Sequence, residues 1–515
     1  MTSVPSLDRA LVERTGFAPR AGVTVPERDL LALPERAVQF GTGAFLRGFV
    51  EYFVDNANRS GAFNGRIVAV SSTGSGRDAK LDSQDGLYTL AVQGVVDGAA
   101  VSDYRIISAL SRSISASTDW AAVLEVAENP ELEVIFSNTT EVGIVLDETD
   151  SASLNPPQSF PGKLTAFLYH RAVGFGFDPA SGVTVIPCEL IEDNGTRLLE
   201  IVRALSNQWK LDARFMKWID SSVSFCDTLV DRIVSGTPVP DRLAEMAESL
   251  GYHDQMLTIC EPYRLFAIEG DADRLNAIGL VHGDGGVVLT DSVTPYRERK
   301  VRLLNGAHTI MVPLALLAGH ETVYDAVEDA NIGQFLRAVM LDEIVPSLDV
   351  PEAEVFAGQV IERFRNPFIE HSLFGITLHG TKKMAVRVVP SIVQSVAQTG
   401  QTPSSLAFGF AAYLLFMRGE LQQQRRGKDL NVPPDDAGER ITAAWERTNG
   451  NDSDHIASLV DEVCGDVSLW GIDLRSVDGF TGEVAISLSS LIEKGVQAAL
   501  ADFLGSQAGT RRVTV

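Results

Sequence analysis

Residues 37–59 run from an apolar strand through two glycines into a helix with an aromatic stripe: AVQF, GTG, then AFLRGFVEYFVDNANR. Few folds contain that succession. Gly41 and Gly43 let the chain turn sharply and bring backbone N–H groups against a pyrophosphate, and the helix N-terminus behind them adds partial positive charge. Phe45, Phe49 and Phe53 recur at helical spacing. The complete dinucleotide fingerprint has a third glycine where this chain has Leu46, so the pair alone is equally readable as a structural turn. Its place between strand and helix favours the phosphate cradle.

Up to about residue 290 the same alternation continues. Short β-branched runs (Ala37–Phe40, Arg66–Ser71, Val134–Ser137, Val183–Pro187) are separated by helical patterns at Ala44–Asn56, Asp119–Ala127, Lys163–Ala172 and Thr196–Gln208. The runs are apolar rather than alternating, as strands covered on both faces are. Beyond Gly283–Leu289 the pattern turns helical, over Arg299–Gly319, Glu321–Glu328, Ile332–Asp342, Met384–Thr399, Pro403–Arg418, Gly438–Glu446, Asp454–Cys464 and Ser487–Leu504. Gln422–Asp435 reads as a polar loop. The expectation is an α/β chain: a Rossmann-like domain with a parallel-rich sheet over 1–290, then a mostly α-helical domain over 291–515 that carries substrate.

Charge narrows the partners. Forty-three Lys plus Arg against 68 Asp plus Glu leave a net −25, which repels phosphate polyanions and speaks against nucleic acid or an anionic membrane surface. An anionic ligand then needs a local pocket of cations or helix N-termini. The four cysteines, Cys188, Cys226, Cys260 and Cys464, form no CxxC pair and read as buried thiols in a reducing compartment. No apolar leader opens the chain, and the longest apolar stretch, Ile310–Gly319, is about half of what spans a bilayer. A cytoplasmic protein, monomeric or a small homo-oligomer, is expected.

The segment RKVRLLNGAHT carries the chemistry. On an α-helical wheel Lys300, Asn305 and His308 fall at about 0°, 140° and 80°, with Leu303 on the other side. Three different polar functions on one arc of an otherwise apolar helix need partners or a purpose. Reducing a carbonyl with a nicotinamide requires a hydride and then a proton. A lysine donates that proton where desolvation and nearby charge draw its pKa from about 10.4 towards neutrality. An asparagine amide can donate to the developing oxyanion, a neutral histidine can hold a neighbouring hydroxyl, and no metal is required. The bland alternative is a snorkelling lysine beside a core asparagine and a core histidine.

Two polar runs follow strands, where open α/β sheets bind ligands. Asn138, Thr139 and Thr140 lie in the first and read equally as a turn and cap. In the second, Asn194 is either an oxyanion donor or the cap of the next helix. Val230-Asp231-Arg232-Ile233 reads as a buried ion pair. After the second strand, Ser71-Ser72-Thr73 offers no acid for the ribose hydroxyls, and Arg77 is either a 2′-phosphate partner or a solvated loop arginine; NAD and NADP stay open on this evidence.

Taken together, these segments resemble the polyol-specific long-chain (mannitol) dehydrogenase family. Its GxGxFxR turn matches Gly41, Gly43, Phe45 and Arg47, and its Lys–x4–Asn–x2–His signature matches Lys300, Asn305 and His308. Asn194-Gly195, residues 230–233 and Gln84–Thr89 match further family segments. Phe49, SNTTEVG (137–143), SFPGKLT (159–165), PCEL (187–190), EPYRLF (261–266) and LLNGAHT (303–309) lean towards the branch that works on sugar acids.

The resemblance implies NAD(H)-dependent interconversion of D-tagaturonate and D-altronate, with the family leaning to NAD. Lys300 would be the general acid/base, Asn194 and Asn305 the oxyanion partners, and His308 the group that orients substrate. Cofactor contacts would come from Gly41, Gly43, Ala44, Phe45, Leu46, Arg47, Asn138, Thr139, Thr140 and Asp231. A uronate carboxylate needs cations, for which Lys383 and Arg387, beyond RFRNP (363–367), are the candidates. The alternatives are a fructuronate reductase, a mannitol or arabinitol 2-dehydrogenase, and, more distantly, a dinucleotide-binding protein without chemistry.

Overall fold

Six parallel strands form the central sheet: β1 (Glu35–Phe40), β2 (Arg66–Ser71), β3 (Leu110–Ser115), β4 (Val134–Ser137), β5 (Thr184–Pro187) and β6 (Ser224–Phe225). Their spatial order is β3-β2-β1-β4-β5-β6, the doubly wound order of dinucleotide-binding sheets. The computed structural model of the protein describes residues 4–20, 22–72, 76–139, 143–448 and 450–513. The chain divides into two units, residues 1–94 with 100–293, and residues 95–99 with 294–515.

The strands read as unbroken apolar runs because each face of the sheet has its own core. Val38, Phe40, Val68 and Val70 pack with Leu164, Phe167 and Leu198. Their neighbours Ala37, Ile67 and Ala69 pack on the other side with Phe49, Phe53 and Phe266. The expected strands at 37–40, 66–71, 134–137 and 183–187 are all present to within two residues. The expected helix at 44–56 is two helices, α1 (Ala44–Gly48) and α2 (Val50–Arg59), because Phe49 leaves helical geometry at φ −130°, ψ −80°. A long hairpin (Tyr88–Val96, Ala99–Ile107) and a three-stranded sheet with Asp227–Asp231 at one edge complete the unit's β structure, with Thr258–Cys260 and Val234–Gly236 alongside the hairpin. All four cysteines are buried and unbridged.

The second unit is helical, and its helices change type. Residues 294–317, read from sequence as one α-helix from Arg299, are an α-helix (Thr294–Arg299), a π-helix (Lys300–Gly306) and α4 (Ala307–Leu317). Two more π-helices, Ala338–Ile344 and Met384–Val388, interrupt the other predicted helices of the middle region. The polar loop expected over Gln422–Asp435 begins instead inside a helix, Glu420–Arg426, whose consecutive Gln and Arg side chains favour helix over coil. At the centre lies α5 (Ser404–Phe416), apolar all round and almost wholly buried. A Cβ on its Gly409 would come within 2.5 Å of Ile310 of α4, so the glycine sets how closely these two helices pack. Among the described residues no helix is long and apolar enough to cross a membrane.

The Glu343 carboxylate, on the second π-helix, accepts from the Ser405 and Leu406 amides at 2.6 and 2.8 Å and so caps the first turn of α5. Burial, against which these bonds work, pushes its pKa up to about 7. Between the ordinary value near 4.5 and 7, the folded chain holds a proton that the unfolded chain has lost. Stability therefore falls as pH rises through that window, by at most about 3 kcal/mol. Glu343→Gln is expected to flatten this slope in urea titrations between pH 4.5 and 7.5. An unchanged slope would remove Glu343 as its source.

Candidate active site

The glycine turn sits at the carboxyl end of β1. Gly41 has φ +125°, a conformation that favours glycine, and a Cβ there would lie 2.9 Å from the Asn138 carbonyl. At Gly43, the residue before α1, a Cβ would meet nothing within 4 Å. The turn is thus closed below and open above, which fits a phosphate laid against its amides. Leu46, at the third fingerprint position, is fully buried with its side chain beneath Gly41. The close approach that the missing glycine would serve occurs two residues later, where a Cβ on Gly48 would fall 2.7 Å from Val234. The sequence offered GAFLRG, and the second glycine carries the packing role.

Behind the turn lies a buried polar brace. Arg47 is 3% exposed; it donates to the Thr42 carbonyl at 2.8 Å and to Thr258 Oγ1 at 3.0 Å, while its own carbonyl accepts from the Tyr88 hydroxyl at 2.7 Å. Gln39 Nε2 bridges the Gly41 carbonyl and Glu51 at 3.0 and 2.8 Å. Burial raises the pKa of Glu51, favouring its neutral form there. Arg47 therefore supports the loop from within, and Gln84–Thr89 joins the same brace through Tyr88. Ala44 and Phe45 are half-buried at the start of α1, with Phe45 stacked on Phe49 at 4.9 Å.

Asn138 and Thr139 follow β4 at the same sheet edge. Asn138 Nδ2 donates to the Cys188 carbonyl at 2.6 Å, and Thr139 gives its amide and hydroxyl to Glu189 at 2.9 and 3.1 Å. Ser137 adds a third bond to the same carboxylate at 3.0 Å. Burial lifts the Glu189 pKa against these donors. Thr140 and Thr73 lie outside the described residues, as does the side chain of Arg77. Asp231 is buried at the end of Asp227–Asp231, paired in register with Leu265. Its neighbour Arg232 bonds main-chain oxygens, Gly48 at 2.8 Å and Glu261 at 2.9 Å, with its guanidinium 4.3 Å over the Tyr52 ring.

An acid at the tip of β2, missed in the sequence, is supplied by Asp78. It accepts a hydrogen bond from Ser71 of β2, and its other carboxylate oxygen is buried without a partner. It stands seven residues beyond the strand's last residue, so a search of the strand end alone passes it by.

Asn194 opens α3 (Asn194–Gln208) and is fully buried. Its Nδ2 lies within hydrogen-bond distance of Thr228 Oγ1 (2.9 Å) and of the Glu189 and Pro187 carbonyls (3.1 and 3.2 Å). Its Oδ1 accepts from the Gly195 and Thr228 amides at 2.9 Å. The side chain joins β5, α3 and the strand beginning at Asp227.

In the second unit the π-turn changes how the signature residues align. On an α-helix Lys300 and Asn305 stand about 140° apart. The i→i+5 bonding of a π-helix instead sets residues five apart one turn above each other, and α4 then places His308 a further α-turn on. The three groups share a face more closely than the α wheel predicts. Gly306 permits it: a Cβ there would lie 2.9 Å from the Arg387 carbonyl on the third π-helix. Lys300 and Asn305 are half-buried, and the Asn305 carbonyl accepts from Thr309 Oγ1 at 2.6 Å.

His308 is 9% exposed and its Nε2 is buried without a hydrogen-bond partner. Its ring stacks on Phe364 with centroids 5.0 Å apart and meets His371 at the same distance. Burial, then the charges of His371, Arg387 and Lys383, hold its pKa well below the usual value, so the ring is neutral. Lys383 Nζ donates to the Ile376 carbonyl at 2.9 Å, and Arg387 Nη1 approaches Thr309 Oγ1 at 3.5 Å. Burial and the Arg387 charge lower the Lys383 pKa, against the pull of Asp435. The predicted cations Lys383 and Arg387 therefore both act on the buried His308 imidazole. His371 joins them unforeseen; its segment carries no motif. Among the described residues no group of three or more His, Cys, Asp or Glu side chains is placed to hold a metal ion.

Comparison with known proteins gives the same two-part division. Residues 35–278 match the mannitol dehydrogenase Rossmann domain, and residues 292–492 match the mannitol dehydrogenase C-terminal domain. Altronate oxidoreductase of Halalkalibacterium halodurans is 39% identical over 491 residues, covering 93% of this chain and 95% of that protein. Its Bacillus subtilis counterpart is 41% identical over 470 residues, covering 91% and 95%. Among solved structures, Pseudomonas fluorescens mannitol 2-dehydrogenase in a ternary complex with NAD and D-mannitol covers 97% of this chain and 99% of its own, with TM-score 0.67 and 23% identity. A substrate-free D-sorbitol dehydrogenase covers 96% and 100%, with TM-score 0.76 and 23% identity; both show the shared fold. The doubly wound sheet, the helical second unit and both family models make the chain a member of the mannitol dehydrogenase family.

Proposed function

We propose that the protein is an NAD-dependent oxidoreductase that interconverts D-altronate and D-tagaturonate. The observation that carries the substrate class is the cluster around His308, where the charges of Lys383 and Arg387 act on a buried imidazole with one unpartnered nitrogen. In a chain of net charge −25, that concentration of cations suits a carboxylate better than a neutral polyol. The names of the altronate oxidoreductases, near 40% identical over most of the chain, support the same assignment.

A bound nicotinamide dinucleotide would supply the hydride chemistry. The amides of Gly41 and Gly43 would hold its pyrophosphate. Asp78, with one oxygen unpartnered, would take ribose hydroxyls, and its charge beside that position would oppose a 2′-phosphate. This favours NAD over NADP. Lys300 would exchange a proton with the reacting substrate oxygen at Nζ, being neutral when it accepts and charged when it donates. The Asn305 amide would donate to that oxygen as charge builds on it. His308, held neutral, would orient a neighbouring hydroxyl, and Lys383 with Arg387 would hold the carboxylate. Asn194, whose amide is engaged within its own unit, would reach substrate only by giving up one of those bonds.

Initial rates on altronate, mannonate and mannitol, each with NAD and NADP, test the reading. Altronate with NAD is expected to give the highest kcat/KM. Preference for mannonate would move the enzyme to the fructuronate branch, and preference for mannitol would reject the carboxylate subsite.

A further inference from the structure

Among the described residues of the second unit, His308 Nε2 is one of several buried polar atoms without a partner, and it belongs to the Lys/Asn/His segment. It is buried and unpartnered, and such an atom costs stability unless something fills the position in use. Its neighbours are Phe364, which offers only a ring face, and His371, whose ring centroid is 5.0 Å away at an interplanar angle of 55°. His371 itself is exposed, so the pair consists of an inner imidazole and an outer one. The main chain at His371 is pinned: its carbonyl accepts from the Val323 amide at 3.0 Å, and Ser372 bridges to Thr322. The outer ring is therefore carried on an anchored segment.

We propose that His371 is a specificity-determining residue that closes a two-imidazole clamp with His308 on one hydroxyl of the substrate. Both rings are biased towards the neutral form, His371 by partial desolvation of its ring, although the residue is exposed overall, and His308 by burial and the adjacent cations. A neutral imidazole has one N–H donor and one bare nitrogen acceptor. A hydroxyl both donates and accepts, so the bare nitrogen of one ring accepts its hydrogen bond and the N–H of the other donates to its oxygen. A carboxylate only accepts, so it would use the N–H of each ring and leave both bare nitrogens unused; it pairs more fully with the donors of Lys383 and Arg387. The clamp and the cations thus read two different groups of one molecule, and together they select a hydroxy acid whose hydroxyl lies within reach of its carboxylate. No bond is made or broken in this step.

The inference rests on the altronate reading, and its test separates the two. Steady-state kinetics with altronate and NAD would compare the full-length protein with His371→Phe, which keeps ring volume and removes both nitrogens, and His371→Gln, which restores a donor and an acceptor. His371→Phe is expected to raise KM about ten- to thirtyfold with kcat changed by less than about threefold, the pattern of lost ground-state binding, and His371→Gln is expected to recover most of that loss. Thermal denaturation of each variant shows whether the fold is intact. An unchanged KM in His371→Phe, or a Gln variant no better than the Phe one, would overturn the clamp and leave the altronate reading standing. A wild-type enzyme that ignores altronate but oxidises mannitol with a KM dependent on His371 would overturn the substrate and support the clamp.

Discussion

Lys300→Ala is expected to lower turnover of altronate about 10²- to 10⁴-fold, the range for loss of a positioned general acid or base. The dinucleotide should still bind, since the glycine turn and its brace of Arg47, Gln39 and Tyr88 lie in the other unit and bond among themselves. The measurements are kcat under saturating NAD and altronate, and NADH affinity by fluorescence titration. The π-turn also ties Lys300 to Asn305, so Asn305→Ala in the Lys300→Ala background should cost less than in the wild type, as groups acting on one oxygen are not additive. Turnover within tenfold of wild type in Lys300→Ala would remove the lysine from the proton transfer.

Asn194→Ala is expected to act first on stability, lowering the unfolding free energy by about 2–4 kcal/mol. The substitution strips the Thr228 amide of its acceptor and leaves the Glu189 carbonyl without its Nδ2 partner, both buried, and opens a small void at the start of α3. Gly195 retains its second acceptor, Asp227, at 2.8 Å, which keeps the loss below that of a wholly abandoned helix end. Asn194→Asp separates the roles: it preserves the two accepted bonds and converts the donors into acceptors facing carbonyls. Urea unfolding and kcat measured on the same preparations decide the matter. A stability equal to wild type with a collapse in kcat would mean that the amide faces substrate rather than the fold.

Most of the sheet was readable from its residues. Val, Ile and Ala runs such as those of β2 and β4 suit burial on both faces, and the two glycines after β1 mark the turn at the sheet's carboxyl end. The hairpin over 88–107 was not readable: its outer strand, AAVSDYRII, is mostly exposed or half-exposed at its start and lacks the apolar signal of the central strands. The π-helices were invisible for a physical reason. A single widened turn leaves the average apolar spacing of a twenty-residue helix almost unchanged, and only the hydrogen-bond register reveals it. At the site, the Lys/Asn/His spacing drew attention by its chemistry, whereas Asp78 is an ordinary acid of a short helix that reaches back seven residues to Ser71, and His371 an ordinary residue made significant by His308, distant in sequence. Gly48 illustrates the converse, a glycine in plain view whose partner, Val234, comes from a strand almost two hundred residues later.

The widened turn at 300–306 makes the helix sensitive to counting. Adding one residue between Lys300 and Asn305 would rotate the ammonium by about 100° relative to the amide and imidazole beyond it. Substitutions at Val301 or Leu304 leave that tally intact. Descendants of this sequence can therefore vary the lettering of the segment more freely than its length, and an insertion tolerated almost anywhere on the surface would here turn Lys300 away from Asn305 and His308.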